Sequence, residues 1–185
     1  MITTERLLLR AYTPADAPAM LRLINVREVA LNTLRIPHPY SAEEAERWTS
    51  NHEERIKNGD HAFAVTLRAT RELVGTVGLH IKSENDRAEI GYWIGIPYWG
   101  KGYATEAAAA VMRFCFETFP INRIFAMHFG RNPASGRVLQ KIGMRHEGTL
   151  RQHLKKWGEY VDLECYGILR SEVGSGLENL LNAMA

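Results

Sequence analysis

The feature that most constrains this chain is the run Tyr98-Trp99-Gly100-Lys101-Gly102-Tyr103-Ala104-Thr105-Glu106-Ala107. It follows an apolar, strand-like segment and opens an alanine-rich one, so the fold must pass from strand to helix here. Glycines in such a turn let the backbone come close to a ligand, because no Cβ stands between. The helix that follows leaves its first N–H groups without internal partners. Those donors, with the helix dipole, form a ready anion site, and Lys101 adds a mobile positive charge. The loop reads as a phosphate holder, and the functional question becomes whose phosphate.

Composition limits the answers. A chain of 185 residues is long enough for one domain with a full core and short for two. A net charge of +2, with no long lysine or arginine run, argues against nucleic acid or an anionic membrane as partner. No stretch is long and apolar enough to span a bilayer. The segment Met1-Ile2-Thr3-Thr4-Glu5-Arg6 lacks the apolar core of a signal peptide, so a cytoplasmic protein is expected. Cys115 and Cys165 make neither a disulfide framework nor a zinc site. Both sit in apolar contexts and read as buried thiols, and no metal is expected.

Hydrophobic periodicity gives the element order. Leu7-Leu8-Leu9-Arg10 reads as a first strand, and Thr13-Pro14-Ala15-Asp16 opens a helix through Met20, Leu21 and Ile24. Ile36-Pro37-His38-Pro39-Tyr40 is irregular by its prolines, and Ser41-Ala42-Glu43-Glu44 has capping-box spacing for a helix running through Trp48 toward Gly59. Strands follow at Ala62–Leu67, Leu73–Ile81 and Ala88–Ile94. Gly102 to Thr118 repeats apolar residues at helical spacing, Ala104, Ala108, Val111, Met112, Cys115 and on to Phe119. A fifth strand spans Ile124–His128, a short helix capped by Asn132-Pro133 ends at Gly143, and a hairpin closes around Trp157-Gly158-Glu159. The expectation is α/β (α+β): a single domain over residues 1–172, with a tail over 173–185 in which Leu177–Met184 form a short helix. Leu177, Leu180, Leu181 and Met184 would pack on the domain or on a second subunit, so monomer and homodimer both stand.

Two common owners of a glycine loop fit poorly. Gly95 to Gly102 is one residue short of the nucleoside triphosphate pattern, and Gly102 stands where Ser or Thr must ligand magnesium. Pro97, Tyr98 and Trp99 also stiffen a loop that should wrap phosphate with small residues. As a dinucleotide fingerprint, Gly100-x-Gly102-x-x-Thr105 lacks the third glycine, and no acidic residue ends a second parallel strand beyond it.

The third owner is coenzyme A. Over nearly the whole chain, and in order, the sequence resembles the GNAT acyltransferase family, and within it the Rim-type branch that acetylates ribosomal protein N-termini. Thr4 to Arg10 resembles that branch's opening strand, and Glu89 to Ile94 the strand that pairs with the pantetheine arm. Trp99 to Ala104 resembles the pyrophosphate turn, with Trp99 as in that branch, where the wider family has Gln or Arg. Asn132-Pro133-Ala134-Ser135 and Lys141 to Met144 resemble the second cofactor motif, and Gly158 to Tyr166 the acceptor-side strand. The resemblance implies the GNAT acyl-CoA N-acyltransferase fold, with a mixed, mostly antiparallel central sheet of about six or seven strands flanked by helices. It implies acetyl-CoA as cofactor and direct transfer to an amine without an acyl-enzyme.

Site residues follow from the resemblance. Ile94, Ile96, Trp99, Gly100, Lys101, Gly102, Tyr103, Ala104 and Thr105 would hold the pantetheine and pyrophosphate, with Asn132, Ser135 and Lys141 on the second motif. Arg131, Arg137 and Lys141 are candidates for the remaining phosphate. Each has a plain structural reading too: glycines for a tight turn, Asn132 as an N-cap, Ser135 capping a backbone group, basic residues as solvated charge. Glu89 is the candidate base, on one strand face with Gly91 and Trp93; His80, His128 and His153 are alternatives. Ser135 or Tyr166 is the candidate proton donor to the departing thiolate, and N–H groups near Ile94 the candidate oxyanion donors.

The acceptor is less constrained. By resemblance, Ile36 to Tyr40 and His153 to Tyr166 wall its site, with Asp162, Glu164 and Tyr166 on one strand face to attract a cationic amine. A protein α-amine, pKa about 8, is roughly one-tenth neutral at pH 7, whereas a lysine amine is neutral at about one part in a few thousand. A modest base therefore suits a protein N-terminus. A small-molecule amine such as a polyamine or an aminoglycoside remains the alternative acceptor. A non-catalytic acyl-CoA sensor is the rival class; retention of Glu89, Ser135 and Tyr166 argues against it.

Overall fold

A computed structural model of the chain describes residues 1–173. Eight strands form one sheet in the order β1-β2-β3-β4-β5-β6-β8-β7. They are β1 (Ile2–Thr3), β2 (Leu7–Arg10), β3 (Asp60–Leu67), β4 (Leu73–Lys82), β5 (Arg87–Ile94), β6 (Arg123–Phe129), β7 (Arg145–Lys156) and β8 (Glu159–Leu169). The strand beyond those read from sequence is β1, two residues folded back on Leu8 and Leu9. Every neighbouring pair is antiparallel except β5 and β6. That pair is parallel because helix α5 (Tyr103–Thr118) carries the chain across between them.

Helix α5 lies on one sheet face. Ala107, Ala108, Ala109, Val111, Met112 and Cys115 have no exposed surface, and the small alanines let the helix settle against Val77, Leu79, Ile90 and Ile124. The opposite face is covered by α1 (Ala17–Ile24), α2 (Arg27–Leu31) and α3 (Ala42–Ser50), through Met20, Leu23, Ile24, Val29 and Ala45 with Tyr40 of the loop before α3, while α4 (His52–Lys57) lies against β3. The capping box forms as spaced: Ser41 Oγ accepts from Glu44 N–H at 3.1 Å and Glu44 Oε2 from Ser41 N–H at 3.0 Å. The helix expected to run toward Gly59 instead breaks at Asn51 into α3 and α4. Helix α6 (Pro133–Lys141) packs beside α5 and over β6 and β7. The short helix expected over 177–184 lies outside the described residues.

Between β5 and β6 the pairing covers only Arg87, Ala88 and Glu89 against Arg123, Ile124 and Phe125. Past Glu89 the two strands part while β6 stays paired with β8 through Phe129. The sheet therefore forks at Glu89.

Candidate active site

The fork exposes a strand edge. Gly95 N–H donates back to Val74 O at 2.9 Å on the β4 side. Successive residues of a strand present their amides to alternate sides, so Tyr92 and Ile94 turn theirs into the gap left by β6. The turn after β5 curls over this edge, with Trp99 Nε1 donating to Ile94 O at 2.6 Å. Gly100 and Gly102 have φ of 75° and 81°, left-handed conformations that cost glycine nothing. Gly102 is the N-cap of α5, and its carbonyl accepts the first intrahelical bond, from Glu106 N–H at 3.1 Å.

A cleft of about 380 Å³ runs along this edge. Ile94, Trp99, Gly100, Gly102, Tyr103, Ala104 and Thr105 line one wall, and Asn132, Ser135, Arg137 and Lys141 the other. These features fit coenzyme A. A backbone cradle with no Cβ at two positions and N–H donors at a helix start suit a pyrophosphate, and an unpaired strand edge suits an amide-bearing arm. Arg137 and Lys141 supply cations beyond the loop.

Two residues expected in this group contribute no side chain to the cleft lining. Ile96 opens a 3₁₀ turn over Ile96–Tyr98 and is 38% exposed, away from the cleft lining. Lys101 points out, with its ammonium 5.5 Å from the Tyr98 ring centroid and its carbonyl accepting from Arg6 Nη1 at 3.0 Å. Arg131 is also turned away from the cleft, donating to Leu31 O at 2.9 Å.

A second cavity, of about 710 Å³, lies between the sheet and α1–α4. Glu89, Tyr92, Trp93 and Ser135 line it, with Ile36, Pro37 and Tyr40 as its expected irregular wall. Tyr92, Trp93 and Ser135 also line the first cleft, so the two spaces meet there. The Tyr92 hydroxyl stands 2.9 Å from Ser135 Oγ and donates to Ser135 O at 3.0 Å. Burial pushes the Tyr92 phenol well above its ordinary range, so it stays a neutral hydrogen-bonding group. Ser135 is fixed by its place on α6, where its N–H donates to Asn132 Oδ1 at 3.3 Å. Asn132 thus serves as the N-cap its sequence context suggests while still lining the cleft.

Glu89 sits at the fork, 19% exposed by side chain and 3.8 Å from Arg35 Nη2. Cross-strand register puts it in one row with His80 of β4 and Asp60 of β3. Asp60 Oδ1 holds His80 Nδ1 at 2.6 Å. The expected neighbourhood of Glu89 with Gly91 and Trp93 is present on the same cavity wall.

The acceptor wall expected from β8 is on the wrong side. Asp162, Glu164 and Tyr166 do share a face, but β8 pairs Glu164 with His128 and Tyr166 with Ala126, the face covered by α6. Tyr166 is 6% exposed, stacked near His128 and His146, and lines neither cavity. Glu164 is taken by His146 and Thr149, whose hydrogen bonds hold its carboxyl below the usual range. Asp162 accepts from Gln152 N–H at 2.7 Å. His153 is exposed on β7. His128 Nδ1 donates to Phe129 O at 2.8 Å, and its Nε2 points at Gly136 of α6.

Residues outside the expected set complete the site. Tyr92 joins the two cavities, and its strand position beside Trp93 was the one signal for it. Arg6 and Glu106 hold the glycine loop from beneath, although they are 100 residues apart. Helices α3 and α4, not β8, close the second cavity, through Trp48, Arg47 and Arg55. Burial pushes the Cys115 thiol up to about 12, leaving no thiolate at neutral pH.

The comparisons agree with this geometry. Residues 6–145 match the acetyltransferase (GNAT) domain family. The uncharacterized N-acetyltransferase YoaA of Bacillus subtilis is 33% identical over 175 residues, covering 92% of this chain and 97% of its own length. The [ribosomal protein uS5]-alanine N-acetyltransferase of Escherichia coli is 30% identical over 94 residues, 50% of this chain and 48% of that protein. The solved spermidine N-acetyltransferase from Vibrio cholerae, in complex with coenzyme A and spermine, superposes with a TM-score of 0.77 at 25% identity, covering 90% of this chain and 96% of that one. A forked sheet, a glycine cradle at a helix start and a family match over most of the chain lead to one conclusion: this protein belongs to the GNAT acetyltransferase family and uses acetyl-CoA.

Proposed function

We propose that the chain is a Rim-type N-acetyltransferase, with the α-amine of a protein N-terminus, such as that of a ribosomal protein, as acceptor. Acetyl-CoA supplies an activated thioester carbonyl when bound. The observation that carries the reading is the meeting of the two cavities at Tyr92 and Ser135, with Glu89 at the fork beside them. A donor held by Gly100 to Thr105 and an amine in the larger cavity would meet there.

Glu89 removes the proton from the amine as it attacks. The Ile94 N–H, facing the gap, is the donor available to the carbonyl oxygen. Ser135, oriented by Tyr92 and by its place on α6, donates the proton that the leaving thiolate takes up. This choice favours Ser135 over Tyr166, because Ser135 lines both spaces and Tyr166 lines neither. Cys115, with no exposed surface, is no candidate for an acyl carrier.

The base and acceptor suit each other. An α-amine needs little help to deprotonate near pH 7, whereas a lysine needs far more. Similarity to a uS5-alanine N-acetyltransferase supports this acceptor, and similarity to a spermidine N-acetyltransferase favours a polyamine as the second reading. Coenzyme A release from acetyl-CoA in the presence of N-terminal peptides, polyamines or aminoglycosides tests both. Turnover with peptides supports the first reading, and turnover with spermidine alone supports the second. Tight cofactor binding without release for any acceptor would instead indicate an acyl-CoA sensor.

A further inference from the structure

The larger cavity ends, away from the fork, in a corner of hydrogen-bond donors that lack acceptors. Arg55 of α4 lies flat on Trp48 of α3, with Cζ 3.2 Å from the ring centroid. Among the described residues, no carboxylate forms an ion pair with this guanidinium and no acceptor takes a hydrogen bond from it. Burial makes its charge costly, lowering its pKa, while the attraction of Asp60 works the other way. Asp60 is itself committed to His80. Beside Arg55, Trp48 Nε1 is fully buried and donates to nothing. The Tyr40 residue is 8% exposed, and burial raises its phenol pKa, so its hydroxyl remains a neutral donor.

Two carboxylates share this wall without answering those donors. Glu44 is engaged by the Ser41 N–H in the cap of α3. Glu54 is on the exposed side of α4 and makes no ion pair with Arg55. A half-buried guanidinium with an indole and a phenol beside it, and no carboxylate in ion-pair contact, is a receptor for an oxyanion.

Resting on the acetyl-transfer reading above, we propose that the acceptor carries an oxyanion as well as its amine, and that Arg55 and Tyr40 bind it beside the Trp48 indole. The row Asp60–His80–Glu89 sets the scale. Neighbouring strands lie about 4.8 Å apart, so the Arg55 corner beside Asp60 and the base Glu89 are separated by on the order of 10 Å. An extended chain covers that in about three residues. The acceptor class is therefore an N-terminal segment with an acidic or phosphorylated side chain near its third residue. A polyamine would bring extra cations to Arg35, Arg47 and Arg55.

The test uses C-terminally amidated tripeptides that differ only at residue three: glutamate, glutamine or phosphoserine, with spermidine alongside. Coenzyme A release is measured at saturating acetyl-CoA. The acidic peptides should exceed the glutamine peptide in kcat/KM by about tenfold or more, as a desolvated charge-assisted pair provides. The ratio should collapse in Arg55→Gln and return in part in Arg55→Lys. The larger of the glutamate and phosphoserine ratios identifies the anion. A wild-type ratio near equality, a ratio that survives Arg55→Gln, or a preference for spermidine overturns the proposal. Should no amine release coenzyme A, the transfer reading fails, and the anion corner is then read without turnover. Glutarate and inorganic phosphate are titrated against the ¹⁵N-labelled protein, whose four tryptophans give four indole signals. The Trp48 indole signal, identified by its loss in Trp48→Phe, should shift with at least one anion; no shift with either overturns the inference.

Discussion

The Arg6 guanidinium closes on Glu106, with Nε 2.7 Å and Nη2 2.6 Å from Oε2, while its Nη1 donates to the Lys101 carbonyl at 3.0 Å. Glu106 has no exposed surface, and Thr4 Oγ1 and Arg6 N–H bind its other oxygen at 2.6 and 3.0 Å. A buried carboxylate in the first turn of α5 would repel an anion at the glycine loop. Arg6 neutralises that charge and ties the Lys101 carbonyl of the loop to it.

Removing Arg6 strands a buried charge, so Arg6→Met should destabilise the fold by about 3 kcal/mol, roughly a 10 °C fall in Tm. It should also raise KM for acetyl-CoA. The discriminating measurement is turnover with acetyl-pantetheine, which has no pyrophosphate. The variant should differ from wild type with acetyl-CoA far more than with this truncated donor. Equal losses with both donors would show that Arg6 does not act through the loop.

Glu89→Gln keeps the size of the side chain and removes the proposed base. Its kcat should drop by about a hundredfold or more. The residual rate should climb with pH as the acceptor amine deprotonates near its own pKa of about 8. A variant with the wild-type rate at low pH would remove Glu89 from this role.

Ser135 and Tyr92 should act as a coupled pair. Ser135→Ala should lower kcat by about tenfold to a hundredfold, within the range of a proton-transfer group acting on a good leaving group. Tyr92→Phe removes the partner 2.9 Å from Ser135 Oγ and should cost less. In the double variant the losses should fall short of additive, by about 0.5 kcal/mol or more. Additive losses would separate the two side chains.

Gly136 lets α6 seat. A Cβ there would stand 2.8 Å from His128 Nε2 and 3.1 Å from the Tyr166 hydroxyl. Gly136→Ala should therefore cost about 1–3 kcal/mol through overpacking and shift Ser135, its neighbour. Circular dichroism melts would read the first effect and kcat the second, with KM for acetyl-CoA as the internal comparison.

Stability should depend on Asp16 at low pH. Burial alone would raise its pKa, but the bonds from Arg10 at 2.7 Å and from Thr13 together outweigh that and hold it below the usual range. A folded-state pKa below the unfolded value of about 3.9 means full stabilisation above that pH, lost as pH falls through the folded value. Asp16→Asn should remove about 2 kcal/mol at pH 7 and make little difference well below pH 3, as urea melts at both pH values would show.

What was legible in the sequence is the local part. The strand-to-helix turn, the caps at Ser41 and Asn132 and the alternating hairpin strands depend on residues close in the chain, whose backbone preferences act without distant partners. The break at Asn51, which is both C-cap of α3 and N-cap of α4, was not resolved by periodicity, because the polar stretch on either side carries too few apolar residues to set a helical face. The face of β8 was misread for a related reason. Alternation says which residues share a face, and only pairing with β6 says which face that is.

By itself, then, the sequence determined that a glycine turn joins a strand to a buried helix, and its flanking motifs resemble those of coenzyme A-dependent acetyltransferases. Tertiary structure alone decided where β5 and β6 part, that Tyr92 and Ser135 stand where two cavities meet, and that Arg6 braces a loop 100 residues away. Turns and caps are short-range equilibria of the backbone. A fork, a cavity and a buried ion pair exist only once distant segments exclude water between them.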